Sequence, residues 1–286
     1  MPRPTAKLAN CYVPLPLPKA RDNADDVLTL RAEGEDSRKP HSLRRLCLET
    51  SVSDASGSAL VELGHTKVLC EVNVTTTDFP PSTTIKMEQG TLYCRVQYAP
   101  HVGINAITQR SETVSPLEST VSAGRLNSAT MTREADLSYQ LSSALLPAIP
   151  LENFPKCVLM VKTTILQDDG SALSACIAAA SIALADARVE LFDLVTSCTV
   201  AVVTSSAGGD PVYFADPTQH EISRAQAVMC LAMLPNHKEV TLWNQSGRLT
   251  PAMANQAMEL SRDGCRTMHR FMRETWISSM NEQSAQ

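Results

Sequence analysis

Ser56-Gly57-Ser58-Ala59-Leu60-Val61-Glu62-Leu63-Gly64-His65-Thr66-Lys67-Val68-Leu69-Cys70 is the stretch on which the fold is read. Ala59, Val61 and Leu63 recur at every second position, the period of a strand with one buried face. Gly64-His65 supplies a turn, and Thr66 to Thr75, rich in Val and Thr, is a second strand. A later stretch completes the pattern: Asp168-Asp169-Gly170-Ser171-Ala172-Leu173-Ser174-Ala175-Cys176-Ile177. There the apolar strand Cys157 to Leu166 meets an acidic turn, and Ser171 to Asp186 is a helix so rich in Ala that it can pack closely.

Working outward, Leu46, Leu48 and Val52 show a broken alternation, and Thr91 to Tyr98 sets Leu92, Cys94, Val96 and Tyr98 on one face of a strand. Residues 100–132 are dominated by small polar side chains without a period, which predicts a functional or disordered loop. Leu137, Leu141, Leu145 and Leu146 then share a helix face, and Pro147 and Pro150 end it. Leu194 to Thr204, Pro211 to Ala215, Ala227 to Leu234 and Glu239 to Trp243 are four more strands. A closing helix runs from Pro251 to about Arg273, with Thr250 as N-cap and Met253, Ala257, Leu260 and Cys265 on its apolar face. This order specifies an α/β (α+β) fold with mixed sheets, packed helices and right-handed crossovers. Ahead of it, Pro14, Pro16 and Pro18 alternate with Leu15 and Leu17. Three parts result: an extended Pro-rich arm over 1–42, a domain over 43–275 and a tail over 276–286. The arm is either a flexible tail or a strap that lays Tyr12, Val13, Leu15 and Leu17 on a neighbouring subunit.

Composition narrows the function. Hydrophobic residues make up 43% and charged ones 19% of the 286 residues, which excludes a disordered chain. With 25 basic against 30 acidic residues the net charge is −5, so any nucleic-acid contact must be local or shared with partner chains. The 9 cysteines form no Cys-x-x-Cys pair and mostly sit in apolar runs, as buried thiols do. Neither a secretory signal nor an apolar run of membrane-spanning length is present, and the odd thiol count suits a reducing compartment; cytoplasm or nucleus is expected.

No motif for chemistry stands out. Asp168 and Asp169 suit a Mg²⁺ site or proton exchange, but acids at a helix start also cap N–H groups and complement the macrodipole, which is the stronger reading. The 6 histidines stand apart from one another and read as surface or turn residues, and there is no nucleotide-binding glycine loop or nucleophile elbow. Taken alone, the residues describe a soluble α/β protein that is not a metalloenzyme.

The Ser56–Cys70 hairpin and the Asp168–Ile177 turn, continued by Ala183-Leu184-Ala185-Asp186-Ala187, resemble two motifs of the ribonuclease-PH family in their order. The likeness runs from about Lys39 to Arg273. Gly170-Ser171-Ala172, Phe192-Asp193-Leu194-Val195 and Asp216-Pro217-Thr218 near Glu221 resemble, more narrowly, RNA exosome ring subunits of the mRNA-transport-regulator type.

That resemblance implies a phosphorolytic reaction in active members, with inorganic phosphate attacking the 3′-terminal linkage of RNA. It also implies a metal held by two aspartates in a pattern Glu-Asp-Ser followed by Asp-Met-Asn. The matching stretch is Glu221-Ile222-Ser223-Arg224-Ala225-Gln226-Ala227-Val228-Met229-Cys230. Ile222 and Val228 stand where the aspartates belong, and neither offers a lone pair, so no catalytic residue, metal ligand or cofactor is assigned. The phosphate-binding element is reduced to Met131-Thr132-Arg133-Glu134, with Glu112, Glu118 and Glu134 offsetting the loop's arginines. What the resemblance implies is a silent ring subunit supporting 3′-to-5′ RNA processing, rRNA included, and degradation. Its partners would be other ribonuclease-PH-like ring subunits, RNA-binding cap subunits, a separate nuclease and single-stranded RNA. Arg95, Arg110, Arg125 and Arg133 are the candidate RNA contacts. Two alternatives stay open: an active phosphorolytic exoribonuclease whose ligands moved to Asp168, Asp169 or Asp216, and a small-molecule enzyme on a similar fold.

Overall fold

The computed structural model describes residues 11–12, 38–76, 88–100, 102, 119–204 and 211–284, with backbone alone at 11–12, 119–129 and 282–284. Ten strands and four helices are placed among them. The strands are β1 (Cys11–Tyr12), β2 (Leu46–Thr50), β3 (Gly57–Leu63), β4 (Thr66–Thr75), β5 (Thr91–Tyr98), β6 (Val158–Gln167), β7 (Thr196–Val203), β8 (Val212–Ala215), β9 (Ala227–Leu234) and β10 (Glu239–Gly247). The helices are α1 (Ser119–Leu145), α2 (Ala172–Asp186), α3 (Gln219–Arg224) and α4 (Pro251–Ser284).

One sheet has the order β1-β2-β3-β4-β6-β5 and is antiparallel except where β5 runs parallel to β6, the pair that α1 connects. The second, β10-β9-β7-β8, is antiparallel throughout. Between them lies α2, buried from Ala172 to Leu184, so its alanine-rich composition reflects a helix with no solvent face. A Cβ at Gly57 would clash with the backbone of Ala183 and Ala187, and β3 can cross the end of α2 this closely only at glycine. Two layers of core follow. The first joins the six-stranded sheet, α1 and α2; the second joins Cys198, Val200 and Val202 of β7 to Ala257 and Cys265 of α4. Met253 and Leu260 border that second cluster, as the apolar face of the closing helix requires.

On its β5 side the larger sheet is not left with an open edge. β1 lies along β2, while α1 covers β5: the Val96 N–H donates to Ser138 Oγ at 2.8 Å and the Tyr98 N–H to Glu134 Oε1 at 2.9 Å.

Several expectations are corrected. Helix α1 begins at Ser119, so the second half of the expected 100–132 loop is helical. Its small polar residues carry no period, yet a helix nucleated on buried Leu141 and Leu145 propagates cheaply into such sequence. Leu146 leaves that helix for a 3₁₀ turn and is exposed. Val52 lies past the end of β2 and is exposed. Helix α4 continues to Ser284, eleven residues beyond Arg273, and β10 runs on to Gly247. Of the strap residues only Tyr12 is placed, paired with Leu46 of its own sheet; Val13, Leu15 and Leu17 lie outside the described residues.

Candidate functional site

The acidic turn after β6 packs on the segment Asp216–Gln219, so the two motif regions read from sequence meet in space. The Gln219 N–H donates to the Asp169 carbonyl at 3.0 Å, and Ser171 Oγ to the Pro217 carbonyl at 3.0 Å. Gly170 holds φ +88°, and a Cβ there would lie 2.7 Å from the Gln219 nitrogen, so both backbone conformation and space demand glycine. The acids do not cap α2. Asp168 Oδ1 instead accepts from the Gly170 N–H at 3.0 Å within the turn, and the N-cap is Ser171, in a left-handed conformation. Helix α3 opens with a capping box: Thr218 Oγ1 accepts from the Glu221 N–H, and Glu221 Oε2 accepts from the Thr218 N–H at 2.9 Å. Glu221, part of the matched frame, is therefore a structural residue.

Two arginine–aspartate pairs flank this turn. Arg44, 1% exposed, donates from Nε and a terminal nitrogen to the two oxygens of Asp216 at 3.0 and 2.9 Å. It donates further to the carbonyls of Asp169 and Gly170, at 3.1 and 2.9 Å. Burial alone would push the Asp216 carboxyl up, but the Arg44 charge and hydrogen bonds outweigh it and hold the group below its ordinary value. Burial raises the Asp169 carboxyl, partly offset by Arg44.

Arg133, 52% exposed, sits 3.2 Å from Asp168 Oδ2 and 5.3 Å over the Tyr98 ring. The Tyr98 hydroxyl donates to the same Asp168 oxygen at 3.2 Å. Burial, then the Asp168 charge, push that phenol well up, so it stays a donor.

Ile222 lies on α3 and Val228 on β9, both half-buried. Val228 packs against Ala201, Val203 and Phe214. A divalent metal of the kind the family implies needs hard oxygen donors, and these two positions offer hydrocarbon, so the residues present do not fit it. Of the acids named for relocated ligands, Asp216 has both oxygens held by Arg44, Asp168 is engaged by Arg133, Tyr98 and Gly170, and Asp169 Oδ2 lies 3.8 Å from Arg44. Among the described residues no three His, Cys, Asp or Glu side chains form a metal-binding group.

Of the candidate RNA contacts, Arg133 is drawn to Asp168, and Arg95 stands exposed on β5 beside Lys162 of β6. Arg125 lies on α1, and Arg110 lies outside the described residues. Sequence reasoning missed Arg44 and Tyr98. The Thr218-x-x-Glu221 signature for α3 was readable in the sequence. His269 departs from the expected surface role: it is buried, with Nε2 3.2 Å from Asp193 Oδ1.

Two sheets clasping a buried alanine-rich helix, with an acidic turn against the β8–α3 junction, define a ribonuclease-PH-like domain. Residues 42–190 match the 3′ exoribonuclease family, domain 1, and residues 193–264 match domain 2 of that family. The chain belongs to this family. It is 31% identical to exosome complex component MTR3 of Homo sapiens, over 88% of this chain and 89% of that protein. It is 29% identical to exosome complex component Rrp41 of Cenarchaeum symbiosum, over 87% and 93%. Rice Rrp46 shares the fold with a TM-score of 0.66 at 19% identity, covering 86% of this chain and 99% of that one.

Proposed function

We propose that this chain is a non-catalytic ring subunit of an RNA exosome, supporting 3′-to-5′ RNA processing and degradation by holding neighbours and walling the RNA path. The observation that carries the reading is the pair Ile222 and Val228, half-buried hydrocarbon at the two positions where the family's metal ligands belong. Arg133 supports it, because Asp168 beside it offsets part of the charge it could offer to phosphate. The named relatives are exosome complex components, which favours assembly with other ribonuclease-PH-like subunits, with cap subunits and a separate nuclease as further partners. Arg95, exposed on β5, is a candidate for a local RNA contact.

The test is direct. Purified chain is incubated with single-stranded RNA, inorganic phosphate and Mg²⁺, and nucleoside diphosphate release is followed. No release above a mock preparation is expected, together with recovery of ribonuclease-PH-like partners from native extract. Phosphate-dependent release, or a monomer that recovers no such partner, defeats the reading.

A further inference from the structure

Cys11 and Cys47 stand directly opposite each other at the edge of the six-stranded sheet. β1 and β2 are antiparallel, with Cys11 in register with Cys47 and Tyr12 in register with Leu46. Opposed residues of such a ladder have Cα atoms ~4.5–5.5 Å apart and lie on one face of the sheet. A disulfide spans Cα separations of about 4.4–6.8 Å. Cys47 alternates with buried Leu46 and Leu48, which puts it on the face away from the core, half-buried. No other register pair among the described residues sets cysteine against cysteine.

We propose that Cys11 and Cys47 are a disulfide-forming pair that, on oxidation, fastens the N-terminal segment to the edge of the six-stranded sheet. Two register pairs are a short ladder, and closing the ring from residue 11 to residue 47 converts that contact into a fixed one. Cys157, half-buried just ahead of β6, faces no cysteine in any ladder, and the other thiols are poorly suited to compete. Cys70, Cys176, Cys198, Cys230 and Cys265 are buried, and burial pushes each thiol up, Cys70 to about 12. Burial raises Cys94 as well, and its ladder partner is Val161.

Oxidised glutathione is a sufficient oxidant. One cysteine thiolate attacks its S–S bond, expelling a glutathione thiolate and leaving a mixed disulfide. The second cysteine thiolate then attacks the protein sulfur of that adduct, and the second glutathione thiolate leaves. Two protein thiols are oxidised, one glutathione disulfide is reduced to two thiols, and the protons pass through solvent.

The experiment uses the full chain, equilibrated with oxidised glutathione, alkylated, digested without reductant and analysed by mass spectrometry. The expected result is a Cys11–Cys47 linked peptide pair as the main intramolecular product. Its yield should fall roughly tenfold when the same oxidation is run in denaturing urea, because the fold supplies the effective concentration. Cys11→Ser should leave Cys47 as a glutathione adduct. Equal yields in buffer and urea, a dominant link from Cys47 to another cysteine, or Cys47 oxidised while Cys11 stays alkylated would each overturn the proposal.

Discussion

Arg44 with Asp216 and Arg133 with Asp168 are the same chemical pair on opposite flanks of one turn, and burial separates their roles. Arg44 is enclosed, and its guanidinium also satisfies the carbonyls of Asp169 and Gly170. It ties residue 44 to the turn after β6 and to the segment leading into α3. Arg133 lies half in solvent, where water screens its attraction to Asp168. The first pair is part of what makes the fold close. The second lies at the surface, beside the Tyr98 ring. A carboxylate near a motif is therefore weak evidence of catalysis until its partner and burial are known.

The largest expected effect is at the buried pair. Arg44→Ala removes the guanidinium that neutralises the buried Asp216 charge, leaving it only the N–H of residue 44 as a neighbouring donor, and urea unfolding should show a loss of about 3–5 kcal/mol. That is a large share of the ~5–15 kcal/mol typical of a domain. A loss under ~1 kcal/mol would show that the enclosed pair is no more structural than the exposed one.

Acid sharpens the same contrast. The folded-state Asp216 carboxyl is depressed below its unfolded value of about 3.9, so its contribution is present above that pH. It is lost as pH falls through the lower folded value. Wild type should therefore lose stability steeply below about pH 4, and Asp216→Asn, already destabilised, should show a shallower acid slope across that window. Identical slopes in thermal melts from neutral to acid pH would contradict the assignment.

A smaller effect is expected where the family's ligands are missing. Ile222→Asp with Val228→Asp places carboxylates on half-buried apolar positions, Val228 against Ala201, Val203 and Phe214. A loss on the order of 1–3 kcal/mol is expected, with no gain of phosphate-dependent RNA degradation, because the expected phosphate-binding stretch keeps little net basic charge. An active double mutant would show that more of the phosphate site survives than Arg133 alone, and one as stable as the parent in urea would show that the two positions tolerate charge.

The smallest effect is at the exposed pair. Arg133→Ala should change stability by no more than about 1 kcal/mol, as exposed ion pairs do. A loss matching that of Arg44→Ala would erase the distinction between the two flanks.

Much of the fold was legible because its signals are local. β4, β5 and β9 have the ends expected from alternation and turn residues, and Thr250 caps α4 as read, with the Met253 N–H donating to its Oγ1 at 3.4 Å. The start of α1 was not legible, since Ser119 to Thr132 carries no apolar period and is helical by continuation from a packed half. The site was legible as two motifs and two substitutions. Its wiring was not: Tyr98, Arg133 and Asp168 come from three separate elements, and no spacing rule relates them.

The sequence by itself determined the order of strands and helices, the glycine at 170 and the hydrocarbon at 222 and 228, because periodicity, turn chemistry and the absence of a lone pair are properties of the residues. Only the tertiary structure decided that Asp216 is locked to Arg44, that Asp168 answers Arg133 and Tyr98, and that Cys11 lies across from Cys47. Those facts depend on burial and on which distant segments share a boundary. Both arise when a helix without a solvent face is closed between two sheets.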